Sequence, residues 1–122
     1  MREESVLCQV APIDELVSTD SEVTFLKVDV EGAEFAVLRG AIQTLSRCAP
    51  TVVCEVNPAF MIGFGYDVPS LLRFVGDLGY SAYWYEHSKL VRGVAEPHQA
   101  VPNNWIFVHP RRADRLAGLF IQ

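Results

Sequence analysis

The run Phe25-Leu26-Lys27-Val28-Asp29-Val30-Glu31-Gly32-Ala33-Glu34 holds the residues best placed to do chemistry. Asp29, Glu31 and Glu34 crowd around one glycine. The apolar residues before Asp29 read as a buried strand, and the glycine as a turn into a helix that begins with acids. In an open α/β sheet, ligands bind beyond the carboxyl ends of the strands, so acids gathered there predict a site. Asp29 could orient a hydroxyl or an amine, or take a proton as general base. The same residues have a structural use of about equal weight. Asp29 can cap the turn, and Glu31 and Glu34 can complement the positive end of a helix.

These acids need elements to hold them. Residues 23–30 are apolar at almost every position, as expected for a strand covered on both faces. Lys27 is the exception, read as a stem packed in the sheet with its ammonium reaching out. From 33 to 47 the period changes. Phe35, Leu38, Ile42 and Leu45 form one stripe while Arg39, Gln43 and Arg47 point away, predicting a single helix. Residues 51–56 are a second buried strand, so a βαβ crossover with parallel strands follows. That crossover brings Glu55 and Asn57 to the same sheet edge as Asp29.

Asn57-Pro58 then opens a loop, 59–66, expected to expose Phe60, Met61, Phe64 and Tyr66 near that edge. Asp67 and Pro69 start a helix with Leu71, Leu72, Val75 and Leu78 on its apolar face and Gly79 as its stop. Residues 80–86 predict an aromatic-rich strand, Leu90-Val91 a return, and 92–103, with Pro97 and Pro102, irregular structure. Residues 105–108 are the last strand, expected to pair antiparallel with the aromatic strand at a mixed sheet edge. Near the start, 6–10 is a short apolar run and 13–17 one or two helical turns. Near the end, Arg111, Arg112 and Arg115 precede Leu116, Leu119 and Phe120, a plausible short amphipathic helix whose arginines are read as a solvated basic turn capping the sheet rather than as a phosphate or membrane site.

Composition narrows the classes. The chain has 122 residues, half of them hydrophobic, which suits one soluble globular domain or part of a larger one. Ten basic against 15 acidic residues give a net charge of -5, which argues against a general affinity for nucleic acid. No apolar run is long enough to cross a bilayer, and no secretory signal is visible after Met1-Arg2-Glu3-Glu4. Cys8, Cys48 and Cys54 form no close pair and read as reduced thiols of a cytoplasmic protein. Gly63-Phe64-Gly65 lacks the third glycine of a dinucleotide loop, since Val68 stands there. Asp29, Glu31, Glu55 and Asn57 could be drawn as an oxygen site for magnesium or calcium, but acids at a helix start are common for electrostatic reasons, so no metal is assigned. His87, His98 and His109 are scattered, which supports no zinc site.

The run from Phe25 to Glu34, followed by Val37-Leu38-Arg39-Gly40-Ala41, resembles the signature of the FkbM-type methyltransferases. The resemblance extends to Ile13-Asp14-Glu15-Leu16, to Pro50 and Glu55, to Leu78-Gly79-Tyr80, and to the segment from Asn104 to Pro110. It covers most of the chain. It implies S-adenosylmethionine as cofactor and, usually, O-methylation of sugars and other small molecules. It implies a class I methyltransferase, Rossmann-like α/β sheet, of which this chain resembles strands four to seven with the last strand antiparallel. Residues 1–122 would then be the C-terminal part of one methyltransferase domain, with the N-terminal half and its glycine-rich cofactor loop outside this sequence. By position, Asp29 would lie beside the methionine end of the cofactor and the acceptor. Glu31 and Glu55 would join it as candidate catalytic acids, and Glu34, Asn57 and Tyr66 would line the acceptor side.

Two functions are therefore expected to compete. One is methyl transfer to a hydroxyl of a small-molecule or sugar acceptor, completed by docking of the absent half. The other is a non-catalytic α/β interaction module that associates, with itself or a partner, through an open strand edge. Neither involves nucleic acid or a membrane.

Overall fold

A computed structural model of the chain describes residues 2–93 and 104–119. Five strands, β1 (Phe25–Val28), β2 (Thr51–Glu55), β3 (Ser81–Glu86), β4 (Lys89–Arg92) and β5 (Asn104–Val108), form one open sheet in the order β1-β2-β5-β3-β4. β1 and β2 run parallel, while β5 is antiparallel to both β2 and β3. The architecture is a mixed α/β fold. The antiparallel pairing expected for the last strand is present, but β5 lies inside the sheet rather than at its edge. The hairpin of β3 with β4 occupies the outer side of β3, which leaves the slot between β2 and β3 for β5. Trp105 and Phe107 are fully buried there, as interior strand residues should be. Of the stretch expected to be irregular, Arg92 ends β4 and residues 94–103 lie outside the described residues, as does Phe120.

Strand alternation divides the sheet into two unequal faces. Val28, Val52, Cys54, Trp105 and Phe107 point to one face and are all buried, packed with Leu38, Ala41, Leu45, Leu71 and Val75 from the helices. The other face is more open. Phe25 is 57% exposed and Lys27 is exposed with it, so the strand expected to be covered on both sides is covered on one. Over this face, Phe25, Val53, Leu90 and Ile106 line a cavity of about 450 Å³ with Arg115 and Leu116.

The single helix expected from 33 to 47 is two: α2 (Glu34–Arg39) and α3 (Ile42–Cys48). The break is held from outside. α1 (Ile13–Leu16) places Asp14 at the start of α3, where its carboxylate accepts from the N–H of Gln43 and of Thr44, both at 2.9 Å, and from the Thr44 hydroxyl at 2.7 Å. The Asp14 N–H in turn donates to the Gly40 carbonyl at 2.9 Å. Gly40 also packs tightly on Pro12, since an added Cβ would lie 3.3 Å from the proline Cβ. The new helix start rotates the apolar stripe: Ala41 is fully buried, whereas Ile42 is 43% exposed.

The rim beyond β2 is also more ordered than a loop. It forms α4 (Pro58–Met61) and a 3-10 turn, Ile62–Phe64, with Met61 buried and Tyr66 half-buried. α5 (Val68–Asp77) begins as expected, with Asp67 accepting from the Ser70 N–H at 2.9 Å, and ends before Gly79 in the left-handed region. The basic tail forms α6 (Pro110–Leu116), and its arginines are not simply solvated. Arg111 donates to the Arg47 carbonyl at 3.2 Å and Arg112 to the Cys48 carbonyl at 2.9 Å, so both satisfy carbonyls left open at the C-terminus of α3. Among the described residues, no helix is long and apolar enough to cross a membrane.

Asp14 is therefore a tertiary cap. Burial pushes its carboxyl up, but the hydrogen bonds from Gln43 and Thr44 together with the charge of Arg47 hold it below the ordinary aspartate value. A lowered acid contributes stability above its unfolded-state pKa and loses it as pH falls through the folded-state one. Asp14→Ala is expected to cost about 1–2 kcal/mol at neutral pH, with the deficit shrinking in acid. Urea unfolding of both proteins across the acid range checks this.

Candidate functional site

The parallel ladder sets the site's position. Val28 is level with Cys54, so Asp29 and Glu55, each the next residue along, stand side by side at the carboxyl ends of β1 and β2. Glu55 is held above the ordinary glutamate range: hydrogen bonding toward Asp29 raises it most, followed by partial burial and then by the negative charges of Asp29, Glu34 and Glu31. Across the other side of β2, Asn104 pairs in register with Glu55. Nothing in the spacing of the sequence places Asn104 at this rim, because an antiparallel strand inserted from far downstream brings it there.

The turn after Asp29 is tightly specified. Glu31 lies in the left-handed region at φ 49°, a conformation an L-residue adopts at some cost, and Gly32 follows at φ 109°. Gly32 is required for space as well, because a Cβ there would come within 2.7 Å of the Phe60 carbonyl oxygen. Glu34 turns inward and is only 2% exposed. Its two carboxylate oxygens accept from the Val30 N–H at 3.1 Å and the Gly32 N–H at 2.9 Å. Tyr66 holds the turn from the other side, its hydroxyl donating to the Gly32 carbonyl and accepting from the Phe35 N–H at 3.1 Å. The Tyr66 ring packs edge-on against Phe35, with centroids 5.0 Å apart.

The candidate residues thus separate by position. Asp29, Glu31 and Glu55 share the rim with exposed or half-exposed side chains. Glu34 and Tyr66, expected at the acceptor side, are occupied in clamping the turn. Asn57 is occupied as well, since its side chain accepts from the Ala59 N–H at 3.1 Å as the cap of α4. Beneath the acid pair, burial and then the charges of Glu34 and Glu55 push the Cys54 thiol up to about 12, so it stays protonated and serves as a small apolar residue. Among the described residues, no group of three or more His, Cys, Asp or Glu is arranged to hold a metal ion.

The ends of two adjacent parallel strands thus bring a pair of acids to one edge of an α/β sheet. The family model of the methyltransferase FkbM domain matches residues 2–82, which include the acid pair and the turn. The chain belongs to this family, whose chemistry is methyl transfer. No curated protein and no solved structure matches it.

The clamp around Gly32 should be the most sensitive part of the rim. Glu34→Ala leaves two N–H groups without their charged acceptor and is expected to cost about 2–4 kcal/mol. Gly32→Ala combines the close approach of the Phe60 carbonyl with a positive φ and should cost about 2–3 kcal/mol. Denaturant midpoints measure both, with Glu31→Ala at the exposed position as a nearly neutral control.

Proposed function

We propose that the chain carries the acid rim of an S-adenosylmethionine-dependent O-methyltransferase acting on a small-molecule or sugar hydroxyl. The side-by-side placement of Asp29 and Glu55 at the carboxyl ends of adjacent parallel strands is the observation that carries this reading. The rim also suits the donor's charge. S-adenosylmethionine bears a sulfonium and an ammonium, and Asp29, Glu31 and Glu55 gather negative charge where a cationic ligand would be attracted. When bound, it would supply an activated methyl group.

The chain's own residues have a definite task in such a reaction. A hydroxyl that gains a methyl must lose its proton, and a carboxylate within hydrogen-bond reach can take it. Asp29, exposed at the end of β1 beside Glu55, is the carboxylate placed to receive the proton from the acceptor oxygen. The clamp of Glu34 and Tyr66 on the turn fixes the backbone that follows Asp29, and orientation of this kind supplies much of the rate in a displacement reaction. Asn57 supports the rim as the cap of α4 rather than by direct contact.

The strand order gives further support. A parallel pair and an antiparallel last strand are what the resemblance to strands four to seven implies, and β1, β2 and β5 are arranged in that way. On this reading the outer edge of β1 receives the strands that complete the cofactor cleft. Association through that edge without catalysis is the competing reading, favoured by the half-open sheet face beside it. Sizing chromatography separates them, since a defined oligomer without methyl transfer supports the second.

In the full-length protein, Asp29→Asn is expected to lower methyl transfer at least about 100-fold without loss of fold, and unchanged turnover would remove Asp29 from the mechanism. The raised Glu55 also leaves a mark on stability. The sign for stability is opposite to that of Asp14. A raised acid penalises the fold once pH climbs past it, so Asp29→Asn should be slightly more stable than wild type at neutral pH.

A further inference from the structure

A second cavity, of about 530 Å³, opens between α2 and the rim that joins α4 to α5. Its walls include Phe35 and Arg39 from α2, Phe64 from the 3-10 turn, and Tyr66. The size is that of a small-molecule site. Arg39 is exposed, and its guanidinium carbon stands 5.2 Å from the centroid of the Phe35 ring, a cation–π placement that fixes the charge at the cavity. Among the described residues no carboxylate pairs with it. Asp67 also lines the cavity; its carboxylate accepts from the Ser70 N–H at the start of α5, which favours its charged form, so one negative charge stands in the wall together with Arg39. Phe64 is 56% exposed and Ile62 is 78% exposed, so the mouth offers apolar surface beside an unpaired cation.

We infer that this cavity binds a planar carboxylate, with Arg39 as counter-ion and Phe64 and Phe35 as the ring contacts. A guanidinium pre-set over an aromatic ring favours a flat anion because it can offer two parallel N–H donors while the ring of the ligand meets apolar side chains. A neutral sugar would leave the cation unpaired and the apolar mouth wet. The site also touches the acid rim mechanically. Phe35 and Tyr66 line the cavity, and the same two residues hold the turn through the Tyr66 hydroxyl and the Phe35 N–H. An occupant therefore packs on the back of the clamp behind Gly32. As the class of acceptor or acceptor part, an aromatic carboxylate rests on the methyl-transfer reading above; as a binding site it does not.

The test uses para-hydroxybenzoate and its uncharged analogue para-hydroxybenzamide, titrated by calorimetry with no methyl donor present. The carboxylate should bind with a Kd below about 1 mM and the amide at least about tenfold more weakly. Arg39→Gln should abolish the difference between the two probes with an unchanged thermal midpoint, Arg39→Lys should restore part of it, and Phe64→Ala should weaken both. Equal binding of the two probes, absence of binding by either, or a preference that survives Arg39→Gln would overturn the site. Because no methyl donor is used, a failed titration in a protein that still transfers methyl groups removes only this cavity. A positive titration in an inactive protein removes only the catalytic reading.

Discussion

The Glu34 carboxylate, almost fully buried behind the turn, is the interaction on which the rim depends. An ionised acid out of contact with water is costly unless hydrogen bonds replace its hydration. Here the backbone N–H groups of Val30 and Gly32 do so, and in doing so they draw the chain after Asp29 into one conformation. The left-handed Glu31 and the positive φ of Gly32 are local costs that this closure sustains. Tyr66 adds a second hold from a different element, 34 residues away, so the turn is fixed against both α2 and α5. With the turn closed, Asp29 is left on the outside, level with Glu55.

The four acids around this point look alike in the sequence and differ in the fold. Glu34 is inside and supplies structure. Glu31 is outside, carried by a strained residue whose side chain is free. Asp29 and Glu55 stand side by side, and that arrangement exists only because two parallel strands end at the same level. The distinction comes from register and burial rather than residue type. It also explains why Cys54 has no chemistry of its own: it lies one residue before Glu55, on the buried face, where neighbouring negative charge disfavours the thiolate.

What was legible in the sequence was what local pattern determines. The two parallel strands, the stop at Asp29, the cap at Asp67 and the exit at Gly79 all follow from residues within a few positions of each other, and the family signature spans the same stretch. The failures share a cause. The break between α2 and α3 is made by Asp14, about 30 residues away along the chain, and the helical period runs through it without a visible fault. β5 entered the middle of the sheet because the β3–β4 hairpin had taken the outer position, a competition between strands that no single segment records. Tyr66 and Asn57 carry polar atoms suited to a substrate, yet the Tyr66 hydroxyl and the Asn57 side-chain oxygen both bond nearby backbone groups, which only the folded chain shows.

The two sheet faces bear on how the rim could work. The helix-covered face is closed and apolar, while the face that carries Phe25, Lys27 and the side chains in register with them is partly open. Asp29 continues that alternation on β1, so it stands where the open face meets the carboxyl edge. β1, like β4 at the far end, has a neighbour on one side only in the described sheet. Its residues are mostly those of an interior strand, with Lys27 as the single charge that discourages unwanted pairing. A strand added beside β1 would therefore bury Phe25 and bring a second wall up to Asp29 at once. The stability of the edge and the completion of the acid rim are then one event, and whatever pairs with β1 also shapes the space in front of Asp29 and Glu55.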